Sequence, residues 1–171
     1  FSTFAIFLLV QVYGISVGET ALLFLANSVI STVVLPQLGK LVARFGERRV
    51  LSFNFVGLIA VFLGYAWIPN LAVLYTLFIL DNLFFGFNLA VESYFQKIAL
   101  SREEITSNVS MAQTINHVSA LVVPVLGGIL WEQVAPSATF LAGVVIAIIS
   151  LALVQLIRTG AAPAPVPIPA D

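Results

Sequence analysis

Residues 39–49 read GKLVARFGERR and interrupt an otherwise apolar sequence. This stretch contains four of the seven basic residues of the chain, Lys40, Arg44, Arg48 and Arg49. Long apolar segments lie on both sides of it. Because an apolar segment of about 20 residues is long enough to cross a bilayer as a helix, the pattern indicates a charged loop between two membrane-spanning helices.

The composition of the whole chain supports this interpretation. Hydrophobic residues make up 60% and charged residues 9% of the 171 positions, with a mean hydropathy of +1.09, whereas a soluble domain carries about 25% charged residues. The sequence therefore indicates an integral membrane protein and no enzyme. The net charge of −1 gives no indication of nucleic-acid binding, and the absence of cysteine excludes disulfides and thiolate chemistry. With a single histidine as well, we predict no metal site and no cofactor.

Turn and capping signals divide the chain into six apolar segments. Residues 13–19 and 68–70, which read YGISVGE and IPN, are typical of turns. Ser101 and Glu104 have the spacing of a capping box, which satisfies free amides at a helix N-terminus. The predicted spans are residues 1–13, 19–41, 50–68, 71–95, 106–130 and 137–157.

These spans form one predicted transmembrane domain, residues 1–158. The first segment has about 13 residues, fewer than the ~20 that a spanning helix needs. We therefore expect its helix to be truncated at the N-terminus and to begin upstream of Phe1. Residues 159–171 are rich in proline and alanine and are predicted to form a disordered tail.

The basic residues all fall on one side of the predicted membrane. The loops and flanks on that side contain all seven of them, whereas the opposite loops, residues 14–18, 69–70 and 131–136, contain none. By the positive-inside rule, the basic side is cytoplasmic. The C-terminus is then cytoplasmic too, and we expect the location to be a bacterial plasma (inner) membrane.

The order of residues in the segment 39–49 resembles the signature loop of the major facilitator superfamily, which reads roughly G-x-L-a-D-r-x-G-R-r-x. In that family the loop joins the second and third helices of a six-helix half, as it does in the predicted spans. Ala43 and Glu47 depart from the Asp and Arg that the family favours. The matching positions are Gly39, Lys40, Arg44, Gly46, Arg48 and Arg49.

The resemblance implies an all-α, polytopic transmembrane helix bundle. It would be one six-helix half of a major facilitator fold, built from two three-helix repeats. In the family, the loop motif is usually closer to its consensus in the first half than in the second. The two departures in this sequence therefore favour the C-terminal half, with an N-terminal six-helix half upstream as its partner. In the family this loop is thought to act as a conformational latch. Here, anchoring to the membrane is the alternative interpretation.

Polar residues are distributed unevenly among the predicted spans. The third and sixth spans contain almost no polar residues and are expected to face lipid. In the fourth span, Asp81, Asn88 and Glu92 follow at spacings of seven and four, which places them on one helical face. The fifth span has a similar face, and the second a weaker one. The predicted solute-cavity residues on these spans are Asn27, Ser31, Asn88, Ser110, Gln113 and Asn116. For the Asn and Gln residues among them, hydrogen bonding between helices is an equal alternative.

Three ionisable residues are candidates for proton coupling. Ionisable groups within a bilayer cost about 2.5–3.5 kcal/mol on insertion scales, and they persist where they face a cavity or a partner. We place Asp81 and His117 near the midplane and Glu92 near the cytoplasmic end. The alternative for Asp81 is a structural hydrogen bond between helices, for example with Asn82, and for His117 a buried, hydrogen-bonded imidazole.

These features favour a secondary transporter that works by alternating access. Four phenylalanines close to Asp81, at positions 78, 84, 85 and 87, suit a small, partly hydrophobic organic solute, although ordinary packing would explain them too. No phosphate-binding loop of the G-x-x-x-x-G-K-[ST] type is present, so nothing indicates ATP-driven transport. Proton-coupled efflux, an antiport, is the favoured mode. The expected partners are the solute, protons, the lipid bilayer and the upstream half. A non-transporting membrane scaffold or sensor is the alternative, and a six-helix channel is disfavoured by the internal repeat and the loop.

Overall fold

The computed structural model describes residues 1–98 and 102–156; the predicted tail, residues 159–171, lies outside them. The described part of the chain is all-helical, as expected. It forms α1 (Ser2–Gln11), α2 (Val17–Phe45), α3 (Glu47–Trp67), α4 (Leu71–Ile98), α5 (Arg102–Gln133) and α6 (Pro136–Val154).

Four of these helices are long and apolar enough to cross a membrane over the described residues. Their candidate spans are Val17–Val42, Arg48–Trp67, Gln113–Gln133 and Pro136–Val154. Of the other two helices, α1 is a shorter apolar helix, Ser2–Gln11, and α4 is 28 residues long and apolar over Leu71–Phe87, the part in which its side chains are described. The protein is therefore a polytopic membrane protein with a helix bundle as its fold.

The segment 39–49 is more helical than its charge suggests. Helix α2 continues to Phe45 and α3 begins at Glu47, so Gly46 alone separates them. Gly46 has a φ of +80°, a region that glycine enters without the steric cost that a Cβ would add. This single residue reverses the chain direction between the two helices.

Helix α2 begins with a capping box that the sequence analysis did not identify. The Glu19 amide donates to Ser16 Oγ at 3.2 Å, and the Ser16 amide donates to Glu19 Oε2 at 2.7 Å. The pattern S-x-x-E was visible at these positions. The corresponding pair predicted at Ser101 and Glu104 includes a position outside the described residues.

Helix α3 has a central place in the bundle, packing against α4 and α6 and to a lesser extent α2. Its residues Val61, Phe62 and Tyr65 are buried in the main apolar core. A second, smaller core lies toward the other end of the helix and contains Leu38, Val42, Val50 and Phe87. The expectation that the third span faces lipid therefore holds only for part of its surface.

Aromatic rings connect four helices at the end of the bundle where α5 meets α6. The indole of Trp131 lies 6.2 Å from the ring of Phe4 and 5.0 Å from that of Phe7, centroid to centroid. It also makes an edge contact with Phe140, which in turn stacks on Tyr65. Such pairs add stability beyond the area they bury, so this aromatic cluster holds α1, α3, α5 and α6 together.

Candidate functional site

Asp81 lies inside the bundle, with 4% of its surface exposed. Its Oδ2 accepts a hydrogen bond of 2.7 Å from the hydroxyl of Ser2, so the carboxyl group connects α4 to α1. Phe78, about one turn before Asp81 on α4, is fully buried. Because this carboxyl group is shielded from water, it depends on its hydrogen bond within the protein for stabilisation.

Asn82 does not take part in this interaction. Its amide donates to the carbonyl oxygen of Phe78 at 2.8 Å, within the same helix. The interhelical partner of Asp81 is thus Ser2, which the sequence analysis did not consider. A serine one residue from the start of the chain gives no periodic signal, so its partner becomes visible only when α1 and α4 are packed together.

His117 and its neighbours on α5 are all exposed. The exposed polar set consists of Ser110, Gln113, Asn116 and His117. From Gln113 to Gln133, the only buried residue is Gly127. Residues 113–122 are exposed at every position, polar and apolar alike, so this stretch of α5 is uncovered on all sides, and it contains the predicted solute-cavity residues Gln113 and Asn116.

The structure does not bring Asp81 and His117 together. Gly127 of α5 lies against the ring of Phe4, and Phe4 is two residues from Ser2, the partner of Asp81. His117 precedes Gly127 by ten residues, which corresponds to roughly 15 Å along the helix. The two ionisable groups also differ in their surroundings, since Asp81 is buried and His117 is exposed.

The remaining candidates are partly described. Asn27 and Ser31 on α2 are half-buried. The Asn27 Oδ1 atom is buried, with no hydrogen-bond partner among the described residues. Helix α4 continues through Asn88 and Glu92, but their side chains lie outside the described part of the structure.

Three of the four phenylalanines near Asp81 have packing roles. Phe78 meets the ring of Phe24 edge-on at 5.5 Å, and Phe84 and Phe87 both lie within 6.3 Å of Phe53. Phe85 differs, since 71% of its surface is exposed. The packing interpretation therefore accounts for most of this group.

Asn54 on α3 is a polar residue that the sequence analysis missed. It is fully buried, and neither its Oδ1 nor its Nδ2 has a partner among the described residues. An amide without partners in an apolar interior is destabilising. The single Asn in the run SFNFVG was the available signal, but it lies in the third span, which the sequence analysis treated as having almost no polar residues.

The basic residues of the signature loop are exposed at the α2–α3 junction. Arg48 differs from the others, because its Nε and Nη2 groups donate to Gln155 Oε1 at 3.2 and 3.0 Å. Gln155 follows α6 and also donates to Ser52 Oγ at 2.9 Å. Arg48, Ser52 and Gln155 thus connect the start of α3 to the end of α6.

The helix bundle and its apolar spans are those of an integral membrane protein. The family model of the Major Facilitator Superfamily matches residues 1–170. The chain therefore belongs to that superfamily, as the signature loop indicated, and its members move small solutes across membranes. No curated protein matches the chain, and no solved structure matches it either.

Proposed function

We propose that the chain is the C-terminal six-helix half of a transporter that moves a small, partly hydrophobic organic solute by alternating access. The exposure of polar residues on α5, within a candidate membrane span, is the observation that carries the proposal. The degraded signature loop, with Ala43 and Glu47 at the two departing positions, favours the C-terminal over the N-terminal half.

Polar groups on a membrane-spanning helix are costly against hydrocarbon and are usually found facing protein or a water-filled cavity. Gln113, Asn116 and His117 are exposed within the candidate span of α5. Another part of the transporter would therefore cover these polar residues of α5. A second six-helix half would do so and would leave a central cavity between the halves for the solute.

Helix α2 supports the same arrangement. Asn27 and Ser31 are half-buried on it, and exposed apolar residues occupy much of the rest of the helix. In this proposal, the amides and hydroxyls of α2 and α5 bind the polar groups of the solute. Phe85, exposed on α4, would meet its apolar part.

Proton-coupled efflux is the proposed mode of transport. Asp81 would be the buried proton carrier and His117 the group in contact with the cavity, because imidazole exchanges a proton near neutral pH. Glu92 is the third candidate. The signature loop and the C-terminus would be cytoplasmic, in a bacterial inner membrane, as the distribution of basic residues suggests.

The experiment is transport of a panel of fluorescent amphipathic dyes by the intact protein in proteoliposomes. Gln113→Ala and Asn116→Ala should each reduce the transport rate with normal protein abundance. Ile148→Ala, on an exposed apolar position of α6, is the matched control and should leave the rate unchanged.

Absence of transport for every dye, with or without a pH gradient, would favour the non-transporting scaffold or sensor. Equal losses in the α5 variants and the α6 control would contradict the assignment of the cavity to α5.

A further inference from the structure

We propose that Lys40, Arg44 and Arg49 form a binding surface for anionic phospholipid headgroups, whereas Arg48 has a separate role in joining α3 to α6. We call these three residues the basic face. The inference does not depend on the proposed solute or on proton coupling, because it rests on the charges and contacts at one end of the bundle.

The charge of this short segment is strongly one-sided. Residues 40–49 contain four basic residues and a single acidic one, Glu47, which leaves a net charge of +3. Lys40 and Arg44 are four residues apart on α2, so they lie on one side of the helix. Arg49 lies in the first turn of α3. All three side chains are exposed.

The basic face lies at the depth where lipid phosphates are expected. Helices α2 and α3 each contain a candidate membrane span, and the charged junction between them at Gly46 is placed at the membrane–water boundary in this proposal, because charged side chains are costly in hydrocarbon. Long basic side chains at such a position extend their charge toward the headgroups. The guanidinium of arginine also matches the geometry of a phosphate with two hydrogen bonds.

Apolar side chains accompany these charges. Phe45 is 47% exposed, and the Arg44 Cζ atom lies 5.5 Å from the centroid of its ring. Leu41, one turn earlier on α2, is also exposed. An exposed aromatic ring beside a guanidinium suits the boundary between acyl chains and headgroups. This combination favours a lipid over a soluble anion.

Arg48 is engaged differently. Two of its N–H groups are directed to Gln155 Oε1, and its carbonyl oxygen accepts a hydrogen bond of 2.7 Å from Ser52 Oγ. Its guanidinium is therefore held against the end of α6. Removing this charge should affect the contact between α3 and α6 more than the attraction of lipid, which makes Arg48 a matched control within the same loop.

The test is lipid selectivity of the intact purified protein in nanodiscs that contain phosphatidylcholine and phosphatidylglycerol. Native mass spectrometry measures the ratio of the two lipids that remain bound. Substitution of Lys40, Arg44 and Arg49 together by Gln should lower the enrichment of phosphatidylglycerol by about fivefold or more, the factor expected from one basic residue near an anionic surface. Arg48→Gln should retain most of the enrichment.

Three results would overturn the proposal. The triple variant could keep the phosphatidylglycerol enrichment of the wild type, or Arg48→Gln could lose as much as the triple variant. Displacement of the lipid by millimolar inorganic phosphate would instead identify a site for the free anion. Circular dichroism of each variant checks that the helices are intact, which is expected because the substituted residues of the basic face are exposed.

Discussion

The hydroxyl of Ser2 donates a hydrogen bond of 2.7 Å to Asp81 Oδ2, across 79 positions of sequence. This bond joins the shortest helix of the bundle, α1, to the helix that contains the most deeply buried acidic group among the described residues. A neutral donor can bind a carboxylate and can also accept a hydrogen bond from a protonated carboxyl group. Gain or loss of a proton at Asp81 would therefore change the direction of a contact between two helices.

Replacement of Ser2 by Ala removes this donor. We expect the helix bundle to lose about 1–3 kcal/mol of stability, because a buried acidic group would lose its hydrogen bond. Ser2→Thr retains a hydroxyl and serves as the control. Thermal melting in detergent, followed by circular dichroism, measures the difference, and equal melting temperatures for the Ala and Thr variants would show that the bond contributes nothing.

Proton coupling through Asp81 predicts a specific loss. Asp81→Asn keeps the size of the side chain but removes its titrating charge. In proteoliposomes, transport driven by a pH gradient should collapse, whereas solute exchange, which needs no net proton movement, should continue.

For His117→Gln we expect a smaller loss of gradient-driven transport or a shifted pH optimum, since its imidazole is exposed in the proposed cavity. Ser119→Ala, at an exposed position of α5 outside the proposed cavity set, controls for general effects on this helix. If both Asp81→Asn and His117→Gln keep gradient-driven transport, proton coupling must lie in the other half of the protein.

Two adjacent glycines on α5 provide a packing test. A Cβ at Gly127 would overlap the ring of Phe4, whereas a Cβ at Gly128 would meet nothing within 4 Å. Gly127→Ala should therefore destabilise the bundle by about 1–3 kcal/mol through overpacking. Gly128→Ala should be neutral or slightly stabilising, because alanine favours the helix by about 1 kcal/mol. Comparable melting temperatures for the two variants would contradict the close approach of α1 to α5.

The arrangement across the membrane can be tested by cysteine labelling, because the chain contains no native cysteine. Cysteines at positions 49 and 155 should react with an impermeant maleimide from the same, cytoplasmic side, since Arg48 and Gln155 are in contact. Cysteines at positions 18 and 133 should react only from the opposite side. Labelling of positions 49 and 133 from one side would show that the number of crossings between them is even.

Much of the architecture could be predicted from local patterns in the sequence. Turn residues separate the helices, and the glycines of the signature loop coincide with the reversal at Gly46. The capping box at Ser16 and Glu19 was also readable, because S-x-x-E is a local pattern. These features depend on residues that are close in the chain, so they can be predicted without knowledge of the packing.

The surroundings of the helices were harder to predict. Lipid tails are as apolar as leucine side chains, so the apolar sequence of α3 does not distinguish a lipid contact from its central position in the bundle. The partners of Asp81 and Arg48 are distant in sequence, at Ser2 and Gln155. Such pairs depend on the rotation and depth of each helix, which composition and periodicity do not determine.

The two tryptophans have opposite environments, so their fluorescence can report on two different parts of the structure. Trp131 lies within the aromatic cluster of Phe4, Phe7 and Phe140, whereas 67% of Trp67 is exposed. Replacing one indole at a time by phenylalanine would leave a single tryptophan within residues 1–171 of each variant. The emission wavelength of Trp131 would then follow any separation of α1 from α5 and α6, and that of Trp67 would follow its contact with the surroundings of the bundle. Movements of the helices at this end can thus be followed in real time without any attached dye.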